Sequence, residues 1–151
     1  MYSKILVPLD GSNRAEKILP YVEKLAAAFE SKVVFLLVVE SSFIYASPFT
    51  FYSEAGVAII DREKLREEGK NYLVGLEEEF RSKGIQVKAL VYEGPVVQTI
   101  IRVAEEEGAD LIALASHGRT GMARVFYGSV AAGVLHQVDR PLLIIRSEGE
   151  Y

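Results

Sequence analysis

Cysteine is absent from the 151 residues, and only two histidines are present. Without cysteine the chain can form no disulfide, offers no thiol nucleophile and cannot build a cysteine-ligated metal site. Such a composition is compatible with a reducing cytosol, and a cytoplasmic location is expected. His117 and His136 have no acidic cluster beside them in sequence, so no zinc site is expected either. Basic residues are also short: 17 Lys and Arg against 21 Asp and Glu leave a net charge of -4. This balance argues against a general nucleic-acid surface, because phosphate backbones are held mainly by clustered cations. Long apolar runs are missing, those near residues 33–39 and 111–115 being far shorter than the about 20 residues that span a bilayer. The opening MYSKILVPLD reads as a strand, not as a signal peptide. Neither nucleic acid nor membrane is an expected partner.

What is present is the composition of a soluble globular protein, half hydrophobic and one quarter charged. The length fits one domain over residues 1–151 with a sizeable core. Residues 4–9 read as a buried strand, after which Asp10-Gly11-Ser12 turns into a helix capped by Ser12 or Asn13. Ala15, Ile18, Leu19, Val22, Leu25, Ala26 and Phe29 recur there at helical spacing, and Pro20 inside that pattern predicts a kink. Lys32 to Val39 is a near-continuous aliphatic run, as in a central parallel strand covered on both faces. Helical spacing resumes from Asp61 to Ser82 and stops at Lys83-Gly84. Ile85 to Tyr92 reads as a strand nearer an edge, and Gly94-Pro95 opens a helix that ends by Gly108. A fourth strand over Asp110 to Ser116, a helix over Ser129 to Val138 and a last strand over Pro141 to Arg146 complete the alternation. Strands alternating with helices in this way predict a doubly wound α/β fold with helices on both faces of a parallel sheet.

Residues 41–60 break the pattern. This segment carries Phe43, Tyr45, Phe49, Phe51 and Tyr52 but no Lys or Arg, so stacking on nucleic acid is a poor match. A lid, a subunit contact, or packing over the domain's own helices are the readings it allows.

The most informative stretch is Ala109 to Val138. An apolar strand leads into a polar loop with Gly118 and Gly121, then Gly128-Ser129, then a helix. Glycines let backbone N–H groups face a ligand, and a helix starting at Ser129 offers unpaired donors and a positive dipole end. Phosphate is the natural guest, with Gly118, Gly128, the Ser129 hydroxyl and the Val130 N–H as its expected contacts. The loop has neither the Gly-Lys-Ser/Thr ending of a Walker loop nor a G-x-G-x-x-G after the first strand. Its spacing is Ala115-Ser-His-Gly118, nine residues, then Gly128-Ser129.

That spacing resembles the universal stress protein family, whose nucleotide-binding members carry G-x2-G-x9-G-S/T at this point. The similarity extends to Ile5-Leu-Val-Pro-Leu-Asp-Gly-Ser12, Glu93-Gly-Pro95, Ala109-Asp-Leu-Ile112 and Arg140-Pro-Leu-Leu-Ile-Ile-Arg146. Ala115 departs from the motif, standing where the first glycine would be. The expected sheet has five parallel strands in order 3-2-1-4-5. Ligands bind such sheets where strand order reverses, here between the first and fourth strands, so Asp10 and the glycine loop meet. Asp10 there could accept from ribose hydroxyls or sit near a phosphate-bound Mg²⁺; an Asp-Gly turn and helix cap is its plainer reading. The resemblance implies that Pro8, Leu9 and Val38 border an adenine ring, although all three also suit a core.

The expected function is binding of ATP or a related adenine nucleotide by a regulatory or sensor module with at most slow hydrolysis, since no catalytic base can be named. The rival is a nucleotide-free dimeric interaction module with a crippled pocket, for which Ala115 is the evidence; a small nucleotidyl-transferring enzyme fits less well. Arg119 and Arg124 are left as solvated loop residues, and the glutamate runs 77–79 and 105–107 as solvated helix faces. The apolar run Pro141 to Ile145 lies at a sheet edge and predicts a homodimer through the last strand, beside an unidentified protein partner.

Overall fold

The computed structural model describes residues 1–40, 50–52, 58–60, 62–118 and 128–148. Five parallel strands form the main sheet: β1 (Lys4–Leu9), β2 (Lys32–Val39), β5 (Val87–Glu93), β6 (Leu111–Gly118) and β7 (Leu142–Glu148). Their order is β5-β2-β1-β6-β7, which is the expected 3-2-1-4-5. Two short strands, β3 (Thr50–Tyr52) and β4 (Ala58–Ile60), pair antiparallel as a separate ribbon. That ribbon lies where the sequence shows no pattern, because three residues are too few to display a period of two. Phe43, Tyr45 and Phe49, and with them the reading of a lid or subunit contact, lie outside the described residues.

Alternation along the central strands sends successive side chains to opposite faces. Ile5, Val7, Val33 and Phe35 face α1 (Leu19–Phe29) and α2 (Arg62–Ser82), where they pack with Val22, Leu73 and Phe80. Leu6, Val34, Leu36, Ile112 and Leu114 face α3 (Val96–Glu106) and α4 (Ser129–Gln137), where they meet Ile100, Val103 and Val134. Two cores therefore sandwich one sheet. The Phe35 and Phe80 rings meet edge to face with centroids 5.0 Å apart. In α2 the buried positions Gly69, Leu73, Leu76 and Phe80 fall at helical spacing while the rest of the helix is mostly charged, so one stripe alone binds it to the sheet.

Three sequence expectations need correction. Pro20 does not sit inside one long α-helix: residues Ala15–Ile18 form a 3-10 turn, and Pro20 falls in the first turn of α1. A first-turn N–H has no intrahelical acceptor, so its loss costs little there. The fourth strand continues past Ser116 to Gly118, because β7 itself runs to Glu148 and pairs with it residue by residue. The edge strand thus outlasts the expected end at Arg146.

Candidate functional site

β1 stays beside β2 as far as Leu9, and β6 stays beside β7 as far as Gly118. Among the described residues, the β1–β6 pairing covers only Ile5 with Leu111 and Leu6 with Ile112. Beyond Leu6 the sheet splits between its two middle strands, at the point where strand order reverses. A cavity of about 210 Å³ occupies this split.

Its lower part is apolar. Leu36, Val38, Ile100, Leu114 and Pro8 line it, and of these Leu36 and Ile100 are fully buried. Its polar lining comes from Asp10, Arg14 and Glu40, which follow β1 and β2 in the chain, and from Gly128 and Ser129 at the start of α4. Gly128 is the N-cap of α4 with φ of 77° and ψ of 160°, a backbone shape that glycine alone adopts readily. It turns the chain so that the helix begins at the cavity. The Gly128 carbonyl accepts from the Ala132 N–H at 3.0 Å, while the N–H groups of the first helical turn have no acceptor within the helix. The resulting end of α4 carries a partial positive charge of roughly half an elementary unit.

Asp10 ends β1 with an exposed carboxylate. Its Oδ1 accepts from the Ser12 N–H at 2.9 Å and from the Ser12 hydroxyl at 2.6 Å, and its Oδ2 faces Arg14 Nη2 at 3.3 Å. Ser12 Oγ accepts in turn from the Ala15 N–H at 3.1 Å, so Ser12 does cap the following turn. The Asp-Gly turn is therefore present, and the residue that makes it also lines the cavity. The Tyr72 hydroxyl on α2 is buried without a hydrogen-bond partner of good geometry. Burial first, then the Glu16 carboxylate and finally Asp10, raise its pKa above the ordinary 10.0. It stays protonated.

Of the residues singled out in the sequence, Pro8, Leu9, Asp10, Val38, Ala115, Gly128, Ser129 and Val130 all line this one cavity. Gly118 ends β6, paired with Glu148 of β7. Arg14, Glu40, Leu36, Val96, Ile100 and Leu114 are lining residues that the sequence reading passed over. Arg14 was within reach of it, standing four residues after Asp10 on a turn that becomes helical. The apolar ones carry no such signal, since a residue under a ligand and a residue under a helix have the same chemistry. Arg119 and Arg124 lie outside the described residues. His136 is exposed in the last turn of α4, and among the described residues no group of three His, Asp or Glu is placed to hold a metal.

The model of the universal stress protein family matches residues 1–146. The chain belongs to the universal stress protein family. Among curated relatives, universal stress protein MJ0577 of Methanocaldococcus jannaschii is 31% identical, over 97% of this chain and 96% of its own length. The solved structure of MJ0577 superposes with a TM-score of 0.79, covering 99% of each chain. A universal stress protein family member from Burkholderia pseudomallei, 29% identical, superposes with a TM-score of 0.72 over 95% of this chain and 96% of that one. The Archaeoglobus fulgidus universal stress protein in complex with dAMP, 19% identical, shares the fold at a TM-score of 0.63 over 95% and 97%. Within this universal stress protein the motif spacing has a physical meaning: it brings Ala115 of β6 and the start of α4 to one cavity.

Proposed function

We propose that the split between β1 and β6 binds ATP or a related adenine nucleotide, and that occupancy regulates the protein's assembly or choice of partner. The observation that carries this reading is the convergence of Asp10, from the first strand, with the Gly128-Ser129 start of α4 on one cavity with an apolar floor. An adenine ring suits the floor made by Pro8, Val38 and Leu36. Asp10, which only accepts hydrogen bonds when ionised, suits ribose hydroxyls, and the α4 N-terminus suits phosphate. Leu9, Val130 and Ala115 complete the walls, and Gly118 stands at the mouth of the β6 strand as a further backbone contact. The dAMP held by the Archaeoglobus fulgidus protein belongs to the same chemical class.

A Mg²⁺ ion would travel on the phosphates, with Asp10 among the carboxylates that line the cavity. The reading is of a binding module with at most slow hydrolysis. We propose further that two copies pair through β7, which is an edge of the sheet in this subunit, and that the protein works in the cytoplasm.

Mass spectrometry of small molecules released by heating the purified protein tests the ligand directly. Stoichiometric ATP, ADP or AMP is expected. A protein that releases none, and takes up none when supplied at millimolar concentration, would be the nucleotide-free module instead.

A further inference from the structure

The charged lining of the cavity is unbalanced for an anionic ligand. Asp10 and Glu40 contribute two carboxylates, and among the described lining residues Arg14 is the one cation. The partial positive charge at the start of α4 does not offset two full negative charges. Nucleoside binding suffers little from this, but each added phosphate increases the repulsion.

Arg14 is placed to change that balance. Its Nη2 meets Asp10 Oδ2 at 3.3 Å, and its side chain is 29% exposed. This is a single long contact at a solvent-facing rim, the kind of ion pair that holds weakly. A guanidinium carries five N–H donors in a fork that matches phosphate oxygens, and among the described residues Arg14 uses one of its nitrogens, toward Asp10. Asp10 does not depend on Arg14 for its position, because Ser12 holds Oδ1 twice. The arginine can therefore leave without releasing the carboxylate.

We propose that Arg14 is the residue by which this pocket reads phosphate number: it exchanges Asp10 for the ligand's phosphates, so that affinity rises from nucleoside to triphosphate. The assignment rests on the nucleotide-binding reading and adds a specificity-determining side chain to it. Phosphates gain a charge-assisted, forked donor, and Asp10 is freed on Oδ2 for hydroxyl groups of the sugar.

Calorimetry with adenosine, AMP, ADP and ATP on wild type, Arg14→Gln, Arg14→Lys and Asp10→Asn tests it, with thermal melts confirming that each variant folds. Arg14→Gln is expected to lower ATP affinity about tenfold while adenosine stays within about twofold. Arg14→Lys, which keeps the charge and loses the fork, should keep most of the gradient. Asp10→Asn should weaken adenosine yet leave the gradient in place. Equal losses for adenosine and ATP in Arg14→Gln would mean that Arg14 only shapes the loop, and an unchanged gradient would mean that it does not meet phosphate; either overturns the assignment. Wild type that binds all four ligands equally removes Arg14's role and leaves the nucleotide reading standing. Wild type that binds none of them removes both.

Discussion

Leu6 and Ile112 form the last matched pair between β1 and β6. Past that pair each strand continues with its outer neighbour alone, and the gap between them is the cavity. The site is thus made by the strand order itself: β1 leads to the 3-10 turn and α1 on one face, and β6 leads toward α4 on the other.

The opposite ends of the same two strands are tied by Asp110. Its Oδ2 accepts from the Ser3 N–H at 2.8 Å and the Ser3 hydroxyl at 3.0 Å, and its Oδ1 from the Lys4 N–H at 3.0 Å. Burial raises the Asp110 pKa, but the bonds from Lys4 and Ser3 together outweigh it and set the pKa below the ordinary 3.8. A depressed carboxylate pKa adds stability above the unfolded-state value and loses it as pH falls through the folded one. Asp110→Ala should therefore cost about 1 kcal/mol at neutral pH, a modest figure because the contacts face solvent. Urea melts of both proteins should show the difference shrinking below about pH 4; a deficit that stays constant down to pH 2 would contradict it.

Gly133 lets α4 lie close on α3. A Cβ built at Gly133 would stand 2.7 Å from Val97 Cγ2 and 3.3 Å from Cγ1, closer than side chains pack. Gly133→Ala should lower stability by about 1–2 kcal/mol, overpacking exceeding the gain in helix propensity. Adding Val97→Ala should recover most of that loss, and a double-mutant cycle by chemical denaturation measures the coupling. Additive effects would mean that the helices are free to move apart.

Ala115 stands at the motif's first-glycine position, yet its side chain packs with the α1 and α2 core, as does Ala113 two residues earlier. The residue lines the cavity while its methyl packs partly into that core, so it is a small intrusion on a ligand in the split. Ala115→Gly should tighten nucleotide binding by at most about tenfold, roughly 1.4 kcal/mol. Calorimetry of the pair checks this. Binding that appears only in the glycine variant would make the natural protein the nucleotide-free module.

Among the described residues β7 has β6 on one side and no strand beyond it in the main sheet. Leu142, Leu143, Ile144 and Ile145 are each half-buried, packed alternately into the two cores, so the strand is anchored while one row of its backbone groups lacks a partner in the sheet. Sedimentation at micromolar concentration should give a dimer. Because the chain has no cysteine of its own, single cysteines placed in turn at residues 142–146 should yield a disulfide-linked dimer at the position nearest the twofold axis. A monomeric wild type, or no crosslink at any of the five, would rule out this interface.

Much of the architecture was legible because its signals are periodic. The β2 run, the α2 stripe and the Gly94-Pro95 start of α3 all follow from local chemistry. Pro20 misled because a helix boundary inside a continuous apolar pattern leaves no trace, the 3-10 turn and α1 presenting one face. The length of β6 was hidden in Ser116-His117-Gly118, residues typical of a loop that β7 nevertheless holds as strand. Around the site, glycine spacing and the β1 turn pointed to the cavity, whereas Leu36, Ile100 and Leu114 look like any core residue. Arg14 could have been read from its place four residues after Asp10, on a turn that becomes helical.

The central claim is that the Gly128-Ser129 start of α4 holds the phosphates of an adenine nucleotide. Titration of ATP into wild type and Gly128→Val by calorimetry, with circular dichroism to confirm folding, is its most direct measurement. A branched side chain at this positive-φ cap would strain the turn and block the phosphates, so wild type should bind ATP at one site per chain and the folded variant should give no heat. Equal heats from both proteins, or no binding by wild type at millimolar ATP, would contradict the account.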